Sequence, residues 1–204
     1  MQKPVLITAV GVIAIIAIAA VILTLRGTPK VELSEAMVNV AGAKIGGPFT
    51  MVRQDGTEVT SEQVIDKPSL IYFGYTFCPD VCPFDVVRNA DAADLVVKAG
   101  HDLQPVFITV DPERDTVEAV RDYTDAIYDD MLGLTGEPEE IRSVLASYRA
   151  VASKAEGEDE DLYLMSHSTL SYLVMPGEGV VAFFQRTLSE AELAERVTCF
   201  LEVA

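Results

Sequence analysis

Apolar and polar positions divide the chain into one long apolar run and a series of short periodic segments. Val5 to Leu25 is an uncharged run of 21 residues, broken only by Thr8, Gly11 and Thr24. That length spans a bilayer core as a helix, and Lys3 and Arg26 bracket it. Ala17-Ile18-Ala19 resembles a signal-peptidase site, but the apolar run continues to Leu25, longer than a cleaved signal's apolar region. The expected layout is a tail at 1–4, a transmembrane anchor at 5–25, a tether at 26–45 rich in small and polar residues, and one domain at 46–204. No cysteine precedes Cys78, so no lipidated cysteine near the start is expected. The flanking charges barely discriminate the orientation of the anchor.

Within the domain, Phe49–Arg53 and Thr57–Thr60 flank Gln54-Asp55-Gly56 and predict a hairpin. Thr60 with Gln63 fits a capping box. Leu70–Tyr75 and Val106–Val110 read as buried strands. A helix is predicted from Cys82 to about Lys98, with Val86, Ala90, Ala93, Leu95 and Val97 facing inward. Asp115 with Glu118 predicts the cap of a helix reaching about Tyr128, followed by a strand at Met131–Leu134 and a helix at Pro138–Tyr148. Leu170–Met175 and Val180–Phe184 flank Pro176-Gly177-Glu178-Gly179 as a second hairpin. Ser189 and Glu192 cap a last helix to about Leu201. Strands alternating with helices predict an α/β fold, with a mostly parallel core and an antiparallel closing hairpin. The element order matches a thioredoxin-like arrangement with an N-terminal hairpin and an inserted element.

Charge sharpens this division. The net charge is −17, and residues 1–30 hold Lys3, Arg26, Lys30 and no acid. The remaining residues therefore carry 12 basic and 32 acidic side chains, a net of −20. So acidic a body excludes nucleic-acid binding, which needs a basic surface. A hydrophobic content of 50% excludes a wholly disordered chain. Three cysteines are too few for a disulfide-stapled scaffold.

Two of those cysteines carry the candidate chemistry. Cys78 and Cys82 lie in Phe73-Gly74-Tyr75-Thr76-Phe77-Cys78-Pro79-Asp80-Val81-Cys82-Pro83, where a strand hands over to a helix. Unpaired N–H groups and the helix dipole there stabilise thiolate, which is both metal ligand and nucleophile. Cys-x-x-x-Cys places both sulfurs on one turn, or lets them close a disulfide. His167 lies in Met165-Ser166-His167-Ser168-Thr169, a loop expected to approach the cysteine turn in a thioredoxin-like fold. Two sulfurs and one imidazole suit Cu(I), or Cu(II) with an added oxygen ligand, better than a structural zinc that normally takes four ligands. His101 sits in a polar turn and reads as a surface residue. Two readings stand for Asp80: a turn-stabilising carboxylate, or an outer-sphere aid to oxidised copper. Asp111, at the end of the second core strand, also stands between site and scaffold. The acidic run Glu156–Asp161 reads as a solvated loop that steers a cationic partner or gathers metal ions. Cys199 is expected to point away from the apolar face of Leu193, Ala194, Val197, Phe200 and Leu201.

Phe73–Pro83, Asp111-Pro112-Glu113-Arg114-Asp115-Thr116 and the later His167 together resemble the Sco (SenC) family of copper-binding assembly factors for cytochrome c oxidase. The resemblance covers roughly residues 40–202 and also accounts for a single N-terminal anchor. It implies a thioredoxin-like (peroxiredoxin-like) fold and copper held by Cys78, Cys82 and His167. The implied task is delivering copper to the copper-site subunit of the oxidase, or reducing its thiols. Other copper chaperones or thiol reductants are implied as further partners, and the chain is expected to act as a monomer. The implied location is the bacterial inner membrane, N-terminus cytoplasmic and domain in the periplasm, or the equivalent mitochondrial position. Ser166 departs from the acid often found before the histidine, and Val117 from a proline often found after the Asp-Thr pair. A thiol–disulfide oxidoreductase using Cys78 and Cys82 as a redox pair is the alternative. A peroxidase reading is weaker, because Ile71 and Tyr75 stand where proline and threonine are expected upstream of its cysteine.

Overall fold

The computed structural model describes residues 45–155 and 163–203. The predicted anchor, nearly all of the tether and the acidic run 156–161 lie outside these residues. No helix among the described residues is long and apolar enough to cross a membrane. Ile45, the first described residue, is buried, and its carbonyl accepts the Val180 N–H at 3.1 Å.

The first hairpin forms as the Asp-Gly turn predicts. β1 (Thr50–Arg53) and β2 (Glu58–Thr60) pair antiparallel, and Gly56 takes the positive φ of +85° that the turn requires. α1 (Ser61–Val64) is a single turn held by the Thr60/Gln63 capping box. β3 (Ser69–Gly74) and β4 (Gln104–Thr109) are buried along their whole length and pair parallel, and β5 (Leu132–Thr135) pairs parallel with β4. Predominantly apolar strand runs are what a sheet covered on both faces requires. β8 (Ser171–Met175) runs antiparallel to β3, and β9 (Gly179–Phe184) antiparallel to β8. β1 closes the opposite edge against β5, giving the order β2-β1-β5-β4-β3-β8-β9. The domain thus has the expected α/β plan, its parallel centre flanked by two antiparallel hairpins. Side chains of β8 alternate: Leu173 joins one core cluster, while Tyr172 and Val174 join the other.

The helices fall close to their predicted spans. α2 (Val81–Lys98) follows the cysteine turn, with Pro83 in the first turn, where a missing N–H breaks no bond. Its buried side includes Cys82, Val86, Ala93 and Val96, whereas Leu95 and Val97 are exposed. The expectation that both face inward is therefore corrected: each lies about 100° to one side of Val96, the residue that is buried. α3 (Val117–Ile127) is capped by Thr116, whose Oγ1 accepts the Ala119 N–H at 3.2 Å. Asp115 is not the cap; it turns into the interior with three donors of its own. α4 (Pro138–Tyr148) begins with Pro138 and a Glu137/Glu140 capping box. α5 (Glu190–Val203) starts after Ser189, whose Oγ accepts the Glu192 N–H at 3.3 Å. Leu193, Ala194 and Val197 of α5 are buried, and Cys199 is half-buried. α2 packs against α5.

The pattern did not announce a second, two-stranded sheet. β6 (Ala152–Lys154) pairs antiparallel with β7 (Met165–His167), and Ala152 lies opposite His167. His167, expected in a loop, therefore closes a strand. Three-residue strands are too short for an alternating pattern to stand out in sequence.

Candidate metal centre

Parallel pairing places the carboxyl ends of β3 and β4 side by side, where open α/β sheets form their sites. β3 leads through Tyr75–Cys78 into α2, and β4 leads into the loop Asp111–Asp115. The β6–β7 hairpin brings His167 to the same edge. The Sγ atoms of Cys78 and Cys82 and a ring nitrogen of His167 all lie within 4.8 Å of one another. Among the described residues this is the one cluster of three or more Cys, His, Asp or Glu able to hold a metal ion. Asp80 and Asp111 are not in it, and His101 and Cys199 lie elsewhere.

Each donor is oriented by its neighbours. His167 Nδ1 lies 2.9 Å from the Ser168 carbonyl, which can only accept, so Nδ1 carries the proton. Nε2 then presents its lone pair toward Cys82 Sγ, 3.2 Å away. The rings of Tyr72 and Tyr75 stand edge-on to the imidazole at 6.1 and 5.8 Å. Burial lowers the His167 pKa, against the pull of the Ser168 and Phe73 backbone and the Asp85 charge, which favours the neutral ring that ligates a metal.

The two thiols are unlike. Cys78 is 8% exposed and Cys82 fully buried. Burial opposes ionisation of Cys78, but donors around it prevail, among them the N–H groups of Cys82, Asp80 and Val81, and its pKa falls below the ordinary value. The Cys82 N–H reaches Cys78 Sγ at 3.5 Å. Burial pushes the Cys82 thiol far up, and the neighbouring Cys78 and Asp85 charges add to it. Gly74 makes room for Cys82: a Cβ at Gly74 would lie 3.2 Å from its Sγ and 3.0 Å from Tyr72 and Phe107 ring atoms.

Three carboxylates sit behind the donors. Asp85, which sequence reasoning missed, is buried one turn after Cys82; Tyr72 OH donates to it at 2.9 Å, and Arg186 and Arg88 pair with it at 3.6 and 3.8 Å. Its spacing of three from Cys82 puts it on the same helix face, but nothing local marks its partner Tyr72, 13 residues away. Asp111 is buried too, accepting Tyr163 OH at 2.7 Å and Arg114 Nε at 2.6 Å. Asp115 accepts the Thr76 N–H, Thr76 Oγ1 and Thr109 Oγ1 at 3.0, 2.6 and 2.5 Å. Asp80, by contrast, is exposed at the helix N-cap, and its side chain makes no capping bond.

The donor set is chemically selective. Two thiolates and a neutral imidazole are soft to borderline, and three ligands suit Cu(I) or, with an added oxygen, Cu(II). A structural zinc site lacks its fourth Cys or His among the described residues.

Fold and donors together define a thioredoxin-like domain with a two-thiol, one-imidazole centre at the head of a helix. The SCO1/SenC family profile matches residues 39–202. The chain is 42% identical over 195 residues to protein SenC of Rhodobacter capsulatus, covering 96% of this chain and 88% of that one. It is 44% identical over 156 residues to the mitochondrial SCO1 homolog 1 of Arabidopsis thaliana, covering 76% of this chain and 46% of the relative. Among solved structures, copper-bound ScoI of Arabidopsis thaliana superposes with a TM-score of 0.74 at 41% identity, covering 78% of this chain and 99% of that one. Copper-bound ScoI of Bradyrhizobium japonicum gives 0.69 at 36% identity, covering 76% and 99%. The chain belongs to the SCO1/SenC family.

Proposed function

We propose that this chain is a copper-binding assembly factor that holds copper through the Sγ atoms of Cys78 and Cys82 and Nε2 of His167, and delivers it to the copper-site subunit of cytochrome c oxidase. The observation that carries this reading is the convergence of those three donor atoms within 4.8 Å. Copper in the related ScoI structures supports it. Copper here is cargo. Three protein ligands leave room for an incoming ligand, so transfer proceeds by exchange without release of the free ion. Phe77 and Phe84, 58% and 71% exposed on either side of the cysteines in sequence, offer apolar surface to an approaching partner. The expected anchor at 5–25 tethers the domain at the inner membrane with the domain in the periplasm; the apolar run and the family resemblance support this placement. A reporter fusion that puts the C-terminus in the cytoplasm overturns it.

The test is metal analysis and an optical spectrum after copper loading. One copper per chain and a sulfur-to-copper charge-transfer band lost in Cys78→Ser are expected. Undiminished binding in Cys82→Ser and His167→Ala overturns the ligand set.

One observation favours a second activity, reduction of the oxidase's copper-site cysteines. Cys78 is the less deeply buried residue and has the lowered pKa, while Cys82 is fully buried with its pKa raised. That asymmetry suits attack by the Cys78 thiolate on a partner disulfide, releasing one partner thiolate. Cys82 then displaces the second partner thiol and closes a Cys78–Cys82 disulfide. Iodoacetamide should label Cys78 well before Cys82. Equal rates, or a dithiol potential outside the range of exchanging pairs, count against this activity.

A further inference from the structure

The three donors come from two segments far apart in sequence. The cysteine turn follows β3, and the histidine hairpin precedes β8. Something must set one against the other closely enough to hold Cys82 Sγ and His167 Nε2 at 3.2 Å. We propose that the loop Asp111–Asp115, which supplies no donor atom, is the positioning clamp that does this. The proposal rests on the reading that Cys78, Cys82 and His167 hold the metal.

One half of the loop grips the cysteine turn. Asp115 is fully buried and takes both the N–H and the hydroxyl of Thr76, two residues before Cys78. The same carboxylate takes Thr109 Oγ1 from the end of β4, and the Asp115 carbonyl accepts Thr135 Oγ1 from the end of β5 at 2.8 Å. Thr76 is thereby fixed to the carboxyl ends of two core strands.

The other half grips the hairpin. Tyr163, buried two residues before β7, donates its hydroxyl to Asp111. Arg114 is tied to the other Asp111 oxygen and lays its guanidinium over the Tyr163 ring, 3.7 Å from the centroid. The same guanidinium lies 5.0 Å from the Phe77 ring and 5.8 Å from the Tyr75 ring. Its Nη atoms are buried and make no hydrogen bond among the described residues. Stacking, together with the Nε–carboxylate pair, therefore holds it. Tyr75 in turn meets the His167 ring edge-on. Arg114 thus touches the aromatic residues of the turn on one side and the hairpin on the other. Asp111, its charge matched by Arg114, acts by holding geometry rather than by placing a charge at the metal.

A clamp and mere scaffold predict different losses. If the loop sets the imidazole, loosening it removes the nitrogen ligand and leaves the two thiols, which lie four residues apart at the entry to α2. Cu(I), satisfied by sulfur, then suffers less than Cu(II), which needs the nitrogen. The experiment uses the full chain in detergent, loaded with Cu(I) or Cu(II) salts against competing chelators, with nitrogen hyperfine coupling read by electron paramagnetic resonance. Arg114→Ala and Tyr163→Phe should weaken Cu(II) by about 10–100-fold, the range for lost outer-shell support, with the nitrogen coupling reduced and Cu(I) affinity changed by less than about threefold. Arg114→Lys keeps the charge without the planar stack and should not restore the coupling. Should Arg114→Ala fail to fold, Tyr163→Phe and Thr76→Val each remove hydrogen bonds from one grip of the clamp and carry the test. Unchanged coupling and Cu(II) affinity in folded Tyr163→Phe and Thr76→Val overturn the clamp. So does a parallel fall of Cu(I) and Cu(II) in step with lost thermal stability. A wild-type protein without nitrogen coupling instead overturns the ligand reading on which the clamp rests, and that outcome is visible before any variant is made.

Discussion

The cysteine turn and the histidine hairpin meet at one centre, yet they are held by different physics. Cys78 and Cys82 are placed by local geometry: four residues apart at the start of α2, with backbone N–H groups of the turn directed at Cys78. His167 stands on a strand of only three residues, and its ring is oriented by the Ser168 carbonyl, two tyrosine edges and the wall behind them. The cysteine turn takes most of its shape from this local geometry, with one tie to the rest of the domain where Thr76 donates to Asp115. A short hairpin takes its position from what it packs against. The soft dithiol is therefore the robust part of the centre and the imidazole the conditional part.

The largest effect comes from breaking the robust part. Cys82→Ser replaces a fully buried soft donor with a hard hydroxyl and should remove both Cu(I) and Cu(II) binding. A loss above about 100-fold is expected, more than an outer-shell partner costs. Competition against a moderate chelator measures it; retention of Cu(I) refutes the turn as the anchor of the site. His167→Ala breaks the conditional part. It should cost Cu(II) more than the roughly 10–100-fold that a lost outer-shell partner costs, while leaving a Cu(I) dithiolate detectable. Equal losses in both oxidation states erase the distinction between the two regions.

The same contrast explains what the sequence disclosed. The α/β order, the Asp-Gly hairpin, the helix from Pro138 and the cysteine pair all rest on signals within a few residues, and each stands close to its predicted place. Asp115 misled because Asp at 115 and Thr at 116 both satisfy a capping pattern; Thr116 caps, and Asp115 is free to turn toward Thr76. Leu95 and Val97 misled because this helix carries apolar residues on both faces, Phe84 and Val87 being exposed as well. Asp85, Tyr163 and the role of Arg114 were illegible for a different reason. Their partners, Tyr72, Asp111 and the Tyr163 ring, lie 13 to about 50 residues away in sequence, and no local period marks such a meeting.

Gly74 offers a smaller and sharper cut. An added methyl would press on Cys82 Sγ at 3.2 Å and on two aromatic rings at 3.0 Å. Overpacking of this kind typically costs about 1–3 kcal/mol. Gly74→Ala should lower the melting temperature modestly and shift the charge-transfer band, because it moves the Cys82 sulfur relative to Nε2. A band of unaltered energy with lowered stability assigns the contact to core packing and leaves the centre untouched.

The smallest effect is a pH dependence at the latch of the turn. Burial raises the Asp115 pKa above its ordinary value of 3.8, outweighing the hydrogen bonds from Thr109 and Thr76. A carboxyl whose folded pKa exceeds its unfolded one favours the fold in its protonated form. The stability it contributes is therefore complete below the unfolded value, and is lost as pH rises through the folded value. Asp115→Asn has no such proton to lose. The stability of the wild-type chain relative to Asp115→Asn should consequently decline as pH rises through the acid range from below 3.8, a trend that urea unfolding of the apo protein can follow. A decline of this sign means the turn is held by a carboxylate that would rather keep its proton, so that even the robust half of the centre draws one restraint from the loop after β4. A rise with pH means that the Thr76 and Thr109 donors overcome burial, and the turn is latched by a charge.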